Sequence, residues 1–163
     1  MPSPAAWSDE QRQSMYAALL QWQAAVQLQG GRLQEAGGVR LRTYWNADAL
    51  LFIAALACLR ACSRQVLGSD HPAFHAFERQ VPDVEGIRNW ILHLDEYLLG
   101  RGHRQVAYRA EQLEVPWVDV AVVRSGGSAV IVAGDMQLRT TEAMAATEAL
   151  CEATREALLD AQP

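Results

Sequence analysis

Arg88, Asn89 and His93 stand close together in the segment Ile87-Arg88-Asn89-Trp90-Ile91-Leu92-His93. They supply a permanent cation, a polar amide and a group that titrates near neutral pH. On a helix the five-residue step from Arg88 to His93 is about 140° of rotation and about 7.5 Å of rise, so the two flank one side rather than stack. Asn89 and His93, four apart, share a face. Such a set suits cleavage of a ribonucleotide backbone. Histidine takes the proton from the 2′-hydroxyl or gives one to the leaving oxygen. Arginine stabilises the extra negative charge on the phosphate in the transition state. The 2′-hydroxyl is an internal nucleophile already held at its target, so this route needs no metal. The chain shows no carboxylate cluster suited to magnesium and no phosphate-binding glycine loop.

Each of these residues also has a plainer reading. His93 then sits on a helix surface or interface, and Arg88 pairs with Glu85, Asp95 or Glu96. Arg101, His103, Arg104 and Arg109 form a local basic cluster after the motif. They would meet RNA phosphates, or else decorate a solvated loop. Trp90 would stack on a base or pack in the core. The other tryptophans, Trp7, Trp22, Trp45 and Trp117, are expected in the core. His71 and His75 are four apart but lack a third metal ligand. The three cysteines, Cys58, Cys62 and Cys151, read as small buried apolar residues. No metal or other cofactor is expected.

Those side chains need helices to hold them. The first 36 residues read as a helix capped by Ser8, with Asp9 and Glu10 in its first turn and a stripe of Met15, Leu19, Trp22 and Val26. Gly30-Gly31 is expected to loosen it and Gly37-Gly38 to end it. Asn46 or Asp48 caps a second helix running to about Leu67. Its centre, Leu50 to Ala57, is apolar nearly all round, which predicts burial on both sides. A short third helix spans about 72 to 80, with Pro72 at its first position. Asp83 caps a fourth, from about Val84 to Leu99, with the stripe Ile87, Ile91, Leu94 and Leu98, flanked by Trp90 and Tyr97 and stopped by Gly100 and Gly102. Then the texture changes. Val118 to Val123 and Ala129 to Ala133 are β-branched runs around Arg124-Ser125-Gly126-Gly127-Ser128, a hairpin pattern. About Thr140 to Ala161 reads as a last helix, with Met144, Leu150 and Leu158 as contacts.

The chain has 163 residues, half of them hydrophobic and 20% charged, which is enough for one folded domain. All 14 basic residues are arginine, and the net charge of −5 argues against a broad nucleic-acid-coating surface. The longest apolar run, Ala49 to Leu59, is too short to span a bilayer, and the first residues lack the pattern of a secretory signal. The expectation is a cytoplasmic protein with no membrane contact. One domain covers 1–163, with a helical bundle over 8–100 and a hairpin plus final helix over 115–161.

Arg88-Asn89-x-x-x-His93, late in a helix of an all-helical segment, resembles the R-x4-6-H motif of the HEPN superfamily. The resemblance covers roughly residues 8 to 100, and Asn89 matches the polar residue that commonly follows the family's arginine. It implies a mainly α, HEPN-like bundle whose motif helices meet across the two-fold axis of a homodimer. It also implies a metal-independent endoribonuclease of bacterial defence or toxin–antitoxin systems, with an RNA substrate and an antitoxin partner. Arg88 would engage the scissile phosphate, His93 would act as general acid/base, and Asn89 would orient or hydrogen-bond. The alternative is a catalytically silent HEPN-like dimer that serves as a scaffold or binding protein.

Overall fold

A computed structural model of the chain describes residues 6–35, 47–93, 96, 101, 103–111 and 120–160. The fold is mainly α, with six described helices and a small antiparallel sheet before the last of them. The helices are α1 (Asp9–Glu35), α2 (Ala47–Leu67), α3 (Pro72–Gln80), α4 (Val84–Leu92), α5 (His103–Ala110) and α6 (Thr140–Asp160). The strands are β1 (Val120–Ser125), β2 (Ser128–Ala133) and β3 (Met136–Arg139), in the order β1-β2-β3.

α1 begins where Ser8 predicts. Ser8 Oγ accepts the Gln11 N–H at 3.2 Å, and Gln11 Oε1 accepts the Ser8 N–H at 2.8 Å, a reciprocal cap. Leu19 and Val26 of the stripe are buried, and Met15 and Trp22 are half-buried. The helix then runs unbroken through Gly30-Gly31, contrary to the expected loosening. Gly30 is there for space. A Cβ on it would overlap Met144 Sδ and come within 2.9 Å of Met144 Cγ and 3.0 Å of Phe52 Cε2. Gly31 faces nothing within 4 Å.

These neighbours predict opposite effects for the same substitution. Gly31→Ala is expected to stabilise the fold by about 0.5–1 kcal/mol through helix propensity. Gly30→Ala is expected to cost about 1–3 kcal/mol in overpacking, more than that gain. Thermal melts should therefore rank Gly31→Ala above the wild type and Gly30→Ala below it. A Gly30→Ala melt at or above the wild type would contradict the close packing.

α2 is central, but it is not buried on both sides as its apolar centre predicts: Leu51 is 53% exposed and Ala54 is exposed too. Phe52, Ile53, Leu56 and Leu59 are almost fully buried, and α2 packs on α1, α4 and α6. An 18-residue window of this helix has a mean hydropathy of 1.6, so by length and composition the helix could cross a bilayer. That corrects the expectation drawn from the uninterrupted run alone. Arg60, near its end, ties the bundle together. It pairs with Glu78 of α3 and, at 3.1 Å, with Glu85 of α4, and lies 5.6 Å from the Phe74 ring centroid. The hydrogen bond to Glu78 is the main cause raising this guanidinium above its ordinary value, so it stays charged.

The C-terminal hairpin forms as expected, turning at Gly126 and Gly127. Both have the positive φ that a two-residue turn needs, 59° and 82°. A third strand, β3, was not anticipated. Gly134 turns the chain back, and Met136 and Leu138 point inward while Gln137 and Arg139 point out. β2 is the buried middle strand, packed on α6 and α1. α6 runs antiparallel to α1, joined by the bonds from Gln27 to Glu148 and from Gln34 to Thr140.

Cys151 is buried in α6, and Cys58 and Cys62 are half-buried in α2. Burial pushes the Cys151 thiol from 9.0 up to about 12. A folded-state value above the unfolded one means stability is intact below pH 9 and lost as pH climbs toward 12. By about pH 10.5 the wild type should have lost roughly 1–3 kcal/mol that Cys151→Ala retains. Urea midpoints of the two at pH 8 and pH 10.5 measure this. Parallel declines would refute it.

Candidate functional site

α4 carries the motif and is held from both sides. Asp83 does not cap it through a side-chain hydrogen bond. Instead, Asp83 Oδ2 accepts the Gln137 N–H at 3.1 Å, which fastens the start of α4 to β3. Gly86 leaves room for Met136 of the same strand. Val84, Ile87 and Trp90 are buried on the inner face. The sheet thus braces the motif helix.

The helix ends earlier than its stripe predicts. Leu92 is its last residue and His93 is the C-cap, with φ −108° and ψ 29°. The His93 N–H donates to the Asn89 carbonyl at 3.0 Å. The stripe positions Leu94 and Leu98, together with Asp95, Tyr97, Gly100, Gly102, Trp45, Trp117 and Asn46, lie outside the described residues.

Arg88 is exposed on the flank of α4 that faces α2. There it borders a groove of about 280 Å³. The groove is walled by Leu50, Ile53, Ala54 and Ala57 of α2 and by Val84, Ile91 and Leu92 of α4. Glu85 and Arg60, on its rim, pair with each other. The expected Arg88 pairs with Glu85 and Glu96 do not form; Glu85 pairs with Arg60, and Glu96 Oε1 lies 3.4 Å from His93 Nδ1. Among the described residues Arg88 makes no ion pair.

His93 does not line that groove. Its side chain is 52% exposed, with Nδ1 3.4 Å from Glu96 Oε1. The 140° of the helix thus keeps the imidazole and the guanidinium apart within one chain. With Nδ1 turned to a carboxylate, Nε2 is the nitrogen left for proton transfer. Glu96 is a partner that reading the sequence missed; its i,i+3 spacing from His93 was the available signal. Asn89 is half-buried between the two flanks.

The expected RNA-facing residues separate. Trp90 is fully buried, which corrects its assignment as a base-stacking ring. It has no open face, and it anchors α4 instead. Arg101 is exposed, and its N–H donates to the Glu96 carbonyl at 2.7 Å. His103 and Arg104 open α5, so a helix replaces the expected loop, and Arg109 is exposed near its end. His71, which the sequence already shows to lack a third metal ligand alongside His75, uses Nδ1 to cap α3 by accepting the Ala73 N–H at 3.2 Å. No family model, curated protein or solved structure matches the chain.

Proposed function

We propose that this chain is a metal-independent endoribonuclease of the HEPN type, cytoplasmic and working as a homodimer in bacterial defence or a toxin–antitoxin pair. The observation that carries it is a pair of accessible side chains on one helix. Arg88 is exposed with no ion pair among the described residues, and His93 is half exposed with Nε2 turned away from its carboxylate. A second copy of α4, placed across a two-fold axis, brings the Arg88 of one chain to the His93 of the other. In that shared cleft His93 Nε2 takes the proton of the 2′-hydroxyl, which attacks the adjacent phosphorus. Arg88 holds the phosphate oxygens as charge builds on them. The P–O5′ bond breaks, and the 5′ oxygen leaves as it takes a proton from water. The products are a 2′,3′-cyclic phosphate and a 5′-hydroxyl. Asn89 orients the phosphate, and Arg101, His103 and Arg104 follow the backbone beyond it.

A second reading has its own observation. Arg88 borders an apolar groove and His93 pairs with Glu96, which suits a silent scaffold or binding protein. Incubation of the purified protein with end-labelled RNA in EDTA separates the two. Cyclic phosphate ends that disappear in both Arg88→Ala and His93→Ala support the nuclease. RNA left intact by the wild type supports the scaffold.

A further inference from the structure

The groove beside Arg88 is longer and more apolar than a phosphate clamp needs. Of the residues around it, Ile53 and Val84 are almost fully buried, and Ala57 and Ile91 are half-buried. On α2 the small side chains of Ala54, Ala57 and Ala61 leave the space open. The α2 wall, from Leu50 to Ala61, covers about 16 Å of helix, and the α4 wall, from Val84 to Leu92, about 12 Å. A trough that long with a volume of about 280 Å³ is narrow. It suits one extended chain better than a ring system. Water in it finds few hydrogen-bond partners, so an apolar chain that displaces the water is favoured.

The charges on the rim are unevenly committed. Arg60 of α2 pairs with Glu85 of α4 at 3.1 Å and also with Glu78 of α3. Two carboxylates therefore share that guanidinium. Arg88, about one turn beyond Glu85, borders the same groove and makes no ion pair among the described residues. The groove thus joins an apolar wall to one uncommitted cation. We propose that it binds an aliphatic monocarboxylate, with the carboxylate on the Arg88 guanidinium and the acyl chain along Ile53, Ala57 and Ile91. Two parallel N–H···O bonds join the two planar groups. One negative charge fits this rim better than the heavier charge of a phosphate monoester, because the Glu85 carboxylate stands a turn away. Binding is read directly, so it stands or falls apart from RNA cleavage.

Calorimetric titration of the full chain with hexanoate, octanoate and decanoate, each below its micelle-forming concentration, tests this. Octanoate should bind saturably, one per chain. Each methylene added along the series should tighten binding by up to about fourfold. Arg88→Gln should weaken octanoate by about tenfold or more and leave octan-1-ol unchanged. Arg64→Gln, exposed on α2 and outside the groove, should change neither. Ala54→Phe, at an exposed wall position, should fill the trough and weaken both ligands, with circular dichroism and the urea midpoint kept. No saturable octanoate binding, no gain along the series, or an equal loss in Arg88→Gln and Arg64→Gln would each overturn the proposal. So would octanoate binding that survives a folded Ala54→Phe.

Discussion

Alanine at position 93 is expected to lower metal-free RNA cleavage by about 10²–10⁴-fold, the usual contribution of a positioned acid/base group. Arg88→Ala is expected to cost about 10²–10³-fold, because a phosphate clamp acts on charge that develops only in the transition state. Neither loss should come from unfolding. His93 is 52% exposed and contributes only its backbone to the end of α4. Arg88 is exposed, and among the described residues it makes no ion pair. Denaturation midpoints should move by no more than the roughly 0.5 kcal/mol typical of surface substitutions. Initial rates on a labelled single-stranded RNA in EDTA give the comparison. Full activity in either variant would remove that residue from the chemistry.

Trp90→Ala is expected to destabilise the fold by about 3–5 kcal/mol. The ring is fully buried on the inner face of α4, beside Ile87 and Val84 in the core cluster. Deleting it leaves a cavity under the helix that carries Arg88. Trp90→Phe keeps most of the volume and should cost less. Urea unfolding followed by circular dichroism measures both. A loss below about 1 kcal/mol for Trp90→Ala would mean that the ring is not core, and would reopen a role at the surface. Cleavage per folded molecule should survive Trp90→Phe, since the indole is not available to stack on RNA.

The helices were legible wherever a long apolar period met a clear signal at its ends. Ser8 and the Leu19–Val26 stripe mark α1, and Pro72 marks α3. The misses share a cause, which is that each element is short or takes its definition from a distant neighbour. Met136–Arg139 alternates over four residues, too few for a period, and is a strand because β2 pairs with it. α5 has no apolar stripe: Gln105 is buried and Val106 is 52% exposed. The Leu94 and Leu98 spacing suggested that α4 continues, yet the helix ends at Leu92.

Site residues were legible by type but not by partner. The angle between Arg88 and His93 follows from helical geometry alone. That Glu85 belongs to Arg60 and Glu96 to His93 is set by tertiary placement and by where α4 stops. Trp90 points inward for the same reason as Ile87, three residues before it.

The central claim is that one cleft takes its guanidinium from one copy and its imidazole from another. Mixing Arg88→Ala with His93→Ala protein, each inactive alone, tests it most directly. After exchange, half the dimers are mixed, and each mixed dimer holds one intact Arg88–His93 pair. Cleavage should return to roughly a quarter of the wild-type rate. A mixture no more active than its two components would contradict the claim.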